Sequence, residues 1–231
     1  LQAAERYQLM PAIDRWVVAR SLAQLGAHRS ALQNRVARFA INLSGQSVGD
    51  PAMADAIEAG LRAAGIPPDV ICFELTETAA VGNLEKAEAF MQRLRLLGCQ
   101  FALDDFGTGQ SSLAYLKSLP VSVLKIDGSF VRDSATNPRS DSLVKAVAQL
   151  ARSMGITTVA EYVETDDLRL RMANYGVDYG QGFAIGKPLP LADVLQDLQL
   201  YEMLAGETLV GGDLADAAPE GRDVEVPLLA G

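Results

Sequence analysis

Phe101-Ala102-Leu103-Asp104-Asp105-Phe106-Gly107-Thr108-Gly109 is the stretch that decides the fold of this chain. Its first residues have the apolar pattern of a buried strand, two adjacent carboxylates follow, and a glycine-containing turn comes next. α/β proteins place reactive side chains at such strand ends, because the strand fixes the backbone while the loop opens to solvent. Both carboxylates can bind one ion only if the strand already turns, which Gly107 and Gly109 would permit. A lone pair of this kind is more often a turn former or a helix N-cap than a metal site, so matching groups from other strands are needed.

Segments with the character of buried strands alternate along the chain with segments of helical periodicity. The predicted strands are 39–44, 70–77, 100–105, 121–127, 157–164 and a weak sixth at 178–183. The predicted helices are 10–26, 51–64, 84–97, a short one ending at Leu119, 141–154, 166–174 and a last one from Pro190 to Leu204. Such alternation implies parallel strands joined by crossover helices. We therefore predict an α/β fold of the TIM-like (β/α) barrel type.

Composition narrows the class of protein. The 231 residues, 49% hydrophobic and 21% charged, suffice for one barrel domain, predicted over 1–204, with a flexible acidic tail over 205–231. A membrane span or signal peptide is not visible, so we expect a cytoplasmic segment without membrane contact. The net charge of −9 argues against a DNA or RNA polymer as partner.

Trp16 is expected to be a core anchor, and Cys72 and Cys99 to be reduced core residues.

Each predicted strand has a polar residue near its carboxyl end. Because these ends open on one face of a parallel barrel, the polar side chains would surround one pocket. They are Asn42, Glu74, Asp104, Asp105, Lys125, Glu161 and Gln181. Burying so many carboxylates with one lysine requires compensating positive charge, which divalent cations would supply. The all-oxygen ligand set favours Mg²⁺, Mn²⁺ or Ca²⁺ over zinc, and the single histidine, His28, makes a histidine-based site improbable.

Two ions in this pocket would suit phosphoester cleavage, since such a pair holds the phosphate, generates hydroxide and stabilises the leaving oxygen. We assign one ion to Asn42, Glu74 and Asp104, and the other to Asp104, Asp105 and Glu161. Lys125 would orient or deprotonate the attacking water, although a plain salt bridge to Glu161 or Asp104 explains it equally well. From these residues alone, an enolase-type barrel with a magnesium ion and a lysine base remains an alternative.

From Glu5 to about Leu195 the chain resembles the EAL domain family, the cyclic di-GMP phosphodiesterases. The resemblance rests on Asn-Leu-Ser at 42–44, Glu-Leu-Thr-Glu at 74–77, the block from Asp104 to Asp127, Ala-Glu-Tyr-Val-Glu at 160–164, and Gln-Gly-Phe at 181–183 with Pro188. It implies a barrel in which two divalent cations, Mg²⁺ or Mn²⁺, activate water to open one phosphodiester of cyclic di-GMP, giving linear pGpG. It thereby favours phosphodiester hydrolysis over enolisation.

The resemblance also implies a role for individual positions. The implied metal ligands are Asn42, Glu74, Asp104, Asp105 and Glu161. Lys125 matches the residue that holds the nucleophilic water and is catalytic together with Glu161. Gln181 and Asp127 match substrate-binding positions. Glu77 matches a glutamate that stabilises the loop after Asp105, which in the family couples the site to dimer contacts, so a homodimer is expected.

Two departures from the family pattern bear on function. The Glu-Ala-Leu motif, whose glutamate is a metal ligand in the family, would precede Leu1, and six predicted strands are two fewer than a full barrel has. We therefore expect the first two strands, and a sensory or GGDEF domain, upstream of this sequence. Tyr162 stands where the family usually has glycine, and we expect it on the outward side rather than against the metal. The alternative function is a catalytically inactive cyclic di-GMP receptor or signalling interaction domain.

Overall fold

A computed structural model describes residues 2–32, 37–108, 113–198 and 224–227. Its strands all pair in parallel, within one curved sheet. They are β1 (Ala37–Asn42), β2 (Ile71–Thr76), β3 (Gln100–Phe106), β4 (Val123–Ile126), β5 (Thr157–Ala160), β6 (Tyr179–Gly180) and β7 (Val224–Pro227). Their spatial order is β6-β5-β4-β3-β2-β1-β7. The predicted parallel α/β fold is confirmed, with each of the six predicted strands close to its expected position.

Helices connect successive strands, as the alternating pattern predicts. They are α1 (Gln2–Arg6), α2 (Met10–Ala27), α3 (Gly45–Val48), α4 (Pro51–Ala64), α5 (Glu77–Gly82), α6 (Leu84–Arg95), α7 (Leu113–Leu116), α8 (Gly128–Asp133), α9 (Pro138–Met154), α10 (Asp166–Tyr175) and α11 (191–198). Two short 3₁₀ turns lie at Arg29–Leu32 and Pro68–Val70. Among the described residues, none of these helices has the length and apolar character required to cross a membrane.

The main core lies between the sheet and the helices that cover it. Phe39, Phe73 and Phe101 come from three adjacent strands and are completely buried. The rings of Phe73 and Phe101 are 5.9 Å apart, and Phe90 of α6 meets Phe101 edge-on. On the other face of the sheet a second, smaller cluster joins Cys72, Ala102, Val123 and Val159. Large side chains on one face and small ones on the other allow the sheet to curve with its small residues inside.

The cysteines and Trp16 test the predicted core. Cys72 and Cys99 are both buried and reduced, as predicted. Burial raises the pKa of the Cys99 thiol to about 12, which disfavours a reactive thiolate. The prediction for Trp16 was wrong, because its side chain is 59% exposed. Helix α2 instead buries the face that carries Val18, Leu22 and Leu25, and position 16 lies away from that face.

The edge strands show whether the sheet closes into a barrel. In the described part of the chain, β6 and β7 are the two edge strands, so the sheet forms an open half-barrel rather than a closed ring. Strand β7 pairs with β1 from Ala37 opposite Val224 to Ala40 opposite Pro227. Apart from β7, the predicted acidic tail at 205–231 lies outside the described residues. The carboxyl ends of β1 to β6 open together at one rim of this half-barrel.

Candidate active site

A bulge at the end of β3 brings its two adjacent carboxylates to the same side. The pairing of β3 with β4 shifts register between Leu103 and Phe106. Asp105 takes a left-handed conformation with φ of 54°, and Gly107 follows with φ of 104°. Aspartate adopts this conformation more readily than most residues, because its short side chain bonds to the local backbone. The required turn therefore begins at Asp105 itself, and Gly107 continues it.

These carboxylates meet a third one from the next strands along the sheet. Ligand oxygens of Asp104, Asp105 and Glu161 all lie within 4.8 Å of one another. Glu161 follows β5 directly, and its backbone N–H donates to the carbonyl of Ile126 at the end of β4. The three side chains are partly buried. This is the geometry of a cation site with oxygen ligands.

Lys125 lies at the centre of the cluster. Its ammonium nitrogen is 3.0 Å from a carboxylate oxygen of Glu74, 3.0 Å from one of Asp104 and 2.8 Å from one of Glu161. The lysine side chain is only 5% exposed. Burial lowers the pKa of Lys125, but the nearby carboxylates outweigh it and raise the pKa above its usual range. The salt bridge expected as one explanation of Lys125 is thus present, with three acidic partners.

The site holds more negative than positive charge. Burial raises the pKa of Asp105, and the neighbouring Asp104 and Asp127 add to the effect. Burial likewise raises the pKa of Glu161, against the opposing effect of Lys125. Oxygen Oδ1 of Asp104 is buried and makes no well-aligned hydrogen bond, although Lys125 is close. An excess of converging carboxylates, one with an oxygen short of donors, fits one or more divalent cations.

The remaining predicted site residues lie around this centre. Asn42 ends β1 directly opposite Glu74 in the strand register, and its side chain is exposed. Gln181 follows β6 and is half-buried, with its backbone N–H donating to the carbonyl of Ala160. Asp127 caps α8, accepting hydrogen bonds from the backbone N–H and the hydroxyl of Ser129. The structure therefore brings Glu74, Asp104, Asp105, Lys125 and Glu161 together and leaves Asn42, Asp127 and Gln181 at the periphery.

Glu77, predicted to stabilise the loop after Asp105, contacts the backbone of that loop. Its carboxylate is 2% exposed and accepts a hydrogen bond of 3.1 Å from the backbone N–H of Gly107. The other oxygen accepts a 2.5 Å hydrogen bond from the hydroxyl of Tyr115 on α7. Glu77 thus joins the first turn of α5 to the loop after Asp105. Tyr115 was not predicted, because nothing in the local pattern shows that its hydroxyl reaches a residue 38 positions earlier.

Asp14 is a second residue that sequence reasoning missed. Its carboxylate, buried on α2, accepts hydrogen bonds from the backbone N–H of Ser44 at 2.8 Å and from the hydroxyl of Ser47 at 2.5 Å. Ser44 also caps α3. These bonds fix the backbone just after Asn42. An acidic residue on the mainly apolar buried face of α2 was the available signal.

Tyr162 lies beside Glu161 but packs against α8. Its ring contacts Gly128, and the guanidinium carbon of Arg132 is 5.3 Å from the ring centroid. The side chain is 55% exposed. These contacts agree with the expected outward placement of Tyr162.

Comparison with known proteins identifies the family. A family model described as the EAL domain matches residues 1–188. PdeB of Shewanella oneidensis, named a cyclic di-GMP phosphodiesterase, is 41% identical over 199 residues, which are 86% of this chain and 23% of that protein. PdeF of Escherichia coli, named likewise, is 39% identical over 199 residues, again 86% of this chain and 26% of that protein.

Solved structures agree with the sequence matches. The phosphodiesterase PaMucR in complex with cyclic di-GMP superimposes with a TM-score of 0.79 at 30% identity, covering 84% of this chain and 78% of that one. The EAL domain of Mycobacterium smegmatis DcpA gives a TM-score of 0.76 at 34% identity, covering 82% and 85%. This chain belongs to the EAL domain family, as the motifs predict. It spans about a quarter of the length of the two curated relatives.

Proposed function

We propose that this chain is the hydrolytic domain of a cyclic di-GMP phosphodiesterase, which opens one phosphodiester of the cyclic dinucleotide to give linear pGpG. One observation carries the proposal: Lys125 on β4 is held by carboxylates of β2, β3 and the residue that follows β5, beside Asp105, at the carboxyl rim of an EAL fold. Relatives at 41% and 39% identity have this activity in their names. Enolisation, the alternative left open by the residues alone, has no such support.

Divalent cations, Mg²⁺ or Mn²⁺, are part of the proposal. When bound, they would neutralise the phosphate and lower the pKa of the attacking water. The residues proposed to hold them are Asn42, Glu74, Asp104, Asp105 and Glu161. Asp104, Asp105 and Glu161 of this set already converge. Their negative charges exceed the single positive charge of Lys125, which favours the binding of divalent cations.

The protein side chains have separate tasks in the proposed reaction. The Lys125 ammonium, held in place by Glu74, Asp104 and Glu161, donates a hydrogen bond to the attacking water and fixes its position. The water oxygen forms a bond to phosphorus as the bond from phosphorus to the ribose oxygen breaks. The proton lost by the water passes to a carboxylate of the site, and Glu161 is 2.8 Å from Lys125. The leaving ribose oxygen takes up a proton from solvent water and becomes a hydroxyl, and the site carboxylate returns its proton to solvent.

The periphery would position the substrate. We propose that Gln181 and Asp127 contact cyclic di-GMP where the rim borders the cation site. Glu77 would hold the start of the loop after Asp105 in place through its hydrogen bond from the Gly107 N–H. We also propose that the chain acts in the cytoplasm as a homodimer, together with a sensory or GGDEF domain encoded upstream.

Turnover of cyclic di-GMP tests the proposal. The 231-residue chain, and a version extended upstream through the Glu-Ala-Leu motif, are assayed for pGpG with Mg²⁺ or Mn²⁺ and then with chelator. Metal-dependent pGpG formation is expected, and Lys125→Ala should reduce it by about 10²-fold or more. Lys117→Ala is the matched control, since Lys117 is exposed on the same segment of the chain. Binding of cyclic di-GMP without turnover in both versions would contradict the enzyme and favour a receptor.

A further inference from the structure

Tyr162 has a backbone conformation that tyrosine rarely adopts. Its φ of 54° lies in the left-handed region, where a bulky side chain is sterically disfavoured. Its exposed side chain, at 55%, gains little from burial in the main core. Asp105 and Gln8 are the other described residues besides glycine with positive φ. Asp105 belongs to the candidate cation site, so two of these three positions lie at the carboxyl rim.

The contact that holds Tyr162 is made with a glycine. A Cβ atom placed on Gly128 would lie 2.3 Å from Cδ2 of Tyr162 and 2.8 Å from its Cβ and Cγ. The ring therefore occupies the space that a side chain at position 128 would need. Arg132, one turn later on α8, extends its guanidinium over the same ring at 5.3 Å. Helix α8 thus forms one wall, from Gly128 to Arg132, against which Tyr162 packs.

The contact between Tyr162 and Gly128 connects the segments that follow β4 and β5. The Lys125–Glu161 ion pair lies at the ends of these same two strands. Lys125 is on β4, and α8 begins at Gly128 directly after that strand. Glu161 directly follows β5 and precedes Tyr162. The Lys125–Glu161 distance of 2.8 Å is the shortest of the three ion pairs that Lys125 makes. A shift of the backbone at 162 would therefore move Glu161 relative to Lys125.

We propose that Tyr162 is a positioning residue, and that its packing on Gly128 fixes Glu161 against Lys125. The left-handed backbone at 162 is maintained by this packing together with the backbone hydrogen bonds of the flanking Glu161 and Val163, in place of a glycine. Its effect on turnover rests on the proposed phosphodiesterase activity, whereas the contact and its effect on cation binding do not. Residues 128 and 162 form an interdependent pair: a side chain at 128 requires a small residue at 162.

A double-mutant cycle read by thermal unfolding tests the contact without any activity assay. Gly128→Ala should lower the melting temperature, because the new methyl group overlaps the Tyr162 ring. In the Tyr162→Gly background the same change should have no cost or be favourable, since alanine is the better helix former. Gly82→Ala, at a helical glycine with nothing within 4 Å, is the control and should behave equally in both backgrounds. An equal loss from Gly128→Ala in both backgrounds would overturn the proposal.

Cation binding and turnover test the positioning role. Tyr162→Gly should weaken Mn²⁺ binding in calorimetry by about tenfold or more, as expected when a support of a ligand is lost. It should lower kcat for cyclic di-GMP while KM changes little, and the melting temperature should not fall in parallel. Tyr162→Phe keeps the ring and should have a Mn²⁺ affinity and a kcat close to those of the wild type. Unchanged Mn²⁺ affinity in Tyr162→Gly would refute the positioning role. A wild-type chain without turnover would refute the phosphodiesterase instead, while the cycle and the calorimetry remain decisive for Tyr162.

Discussion

The two ends of the same strands obey different physical rules. Between sheet and helices, Phe39, Phe73 and Phe101 are fully buried in an apolar layer that needs nothing from outside the chain. At the carboxyl rim, a few residues further along, four carboxylates from β2, β3 and the exit of β5 face the single ammonium of Lys125. The apolar layer stabilises the fold by itself. The stability of the apolar layer keeps the carboxylates at the rim close together although they repel one another.

Backbone geometry separates the two regions in the same way. The strands are regular where they cross the apolar layer, whereas the bulge and the left-handed residues Asp105 and Tyr162 lie at the rim. Strain and uncompensated charge at one place, supported by a well-packed core, are the pattern expected of a functional site. Substitutions in the two regions should therefore differ in sign as well as in size.

The largest effect is expected in the apolar layer. Phe101→Ala removes a fully buried ring that contacts Phe73 and Phe90, and should lower the free energy of unfolding by about 3–5 kcal/mol. Mn²⁺ should not restore the lost stability, because the cavity left by the ring is lined by apolar groups that do not bind a cation. Urea denaturation followed by circular dichroism measures it. Leu96→Ala, at a side chain that is 89% exposed, is the control, and an equal cost at both sites would contradict the distinction.

Cations should act on the rim alone. With Mn²⁺ at about 100 times its dissociation constant, the folded state should gain about 2.7 kcal/mol, and chelator should reverse the gain. The melting temperature should rise accordingly by roughly 5–10 °C. Asp104→Asn should abolish most of this rise, because Asp104 belongs to the carboxylate cluster and has a buried oxygen that makes no well-aligned hydrogen bond. Glu164→Gln is the control, since Glu164 is an exposed acid in the loop after β5, and this variant should show the full rise in melting temperature with Mn²⁺. An equal rise in both variants would mean that the cation binds elsewhere.

The apolar layer was largely predictable from the sequence, because a parallel sheet covered by helices requires continuous apolar segments. The strand positions and the longer helices followed from these segments. The short helices α3, α5 and α8 were missed, since each is only 4–6 residues long and depends on a capping residue rather than on periodicity. Their caps, Ser44, Thr76 and Asp127, were visible but ambiguous. Trp16 was misassigned, because aromatic character alone does not say which face of a helix is buried.

At the rim, the sequence indicated which residue types converge but not how. Parallel topology suffices to bring Glu74, Asp104 and Lys125 together, since each is near the carboxyl end of its strand. The supporting contacts join residues that are distant along the chain, and only the folded backbone brings them into reach. Asp14 and Ser44 are 30 residues apart, and Tyr115 and Glu77 are 38 apart. The packing of Tyr162 on Gly128 depends on a backbone angle that no pattern of residue types encodes.

An intermediate effect should come from the loop that connects the rim to Glu77. Glu77→Gln weakens the charge-assisted bond to the Gly107 N–H while keeping the shape of the side chain. We expect turnover of cyclic di-GMP to fall about tenfold, equivalent to about 1.4 kcal/mol in the barrier, with Mn²⁺ affinity nearly unchanged. Steady-state kinetics and calorimetry measure the two quantities. Glu85→Gln on α6 is the control, and full activity in Glu77→Gln would refute the role of this carboxylate.

The smallest effect has the opposite sign and concerns the charge of Asp105. Because burial raises its pKa above the ordinary 3.8, the folded state binds this proton more tightly than the unfolded state does. The cation-free protein should therefore lose stability as the pH rises from about 3.8 through the raised value. Asp105→Asn removes that loss and keeps a residue that tolerates a left-handed backbone.

Above this pH window the cation-free Asp105→Asn variant should melt about 2 °C higher than the wild type, a small gain because the group is partly solvated. Below about pH 3.8 the difference should vanish, since the wild-type carboxyl is then protonated in both states. Thermal unfolding in chelator across this range measures it, with Glu164→Gln as the matched exposed control. A variant less stable than the wild type at neutral pH would mean that Asp105 contributes favourable contacts to the folded state. The rim would then be stabilised by its own charges, and the contrast with the apolar layer would fail at this residue.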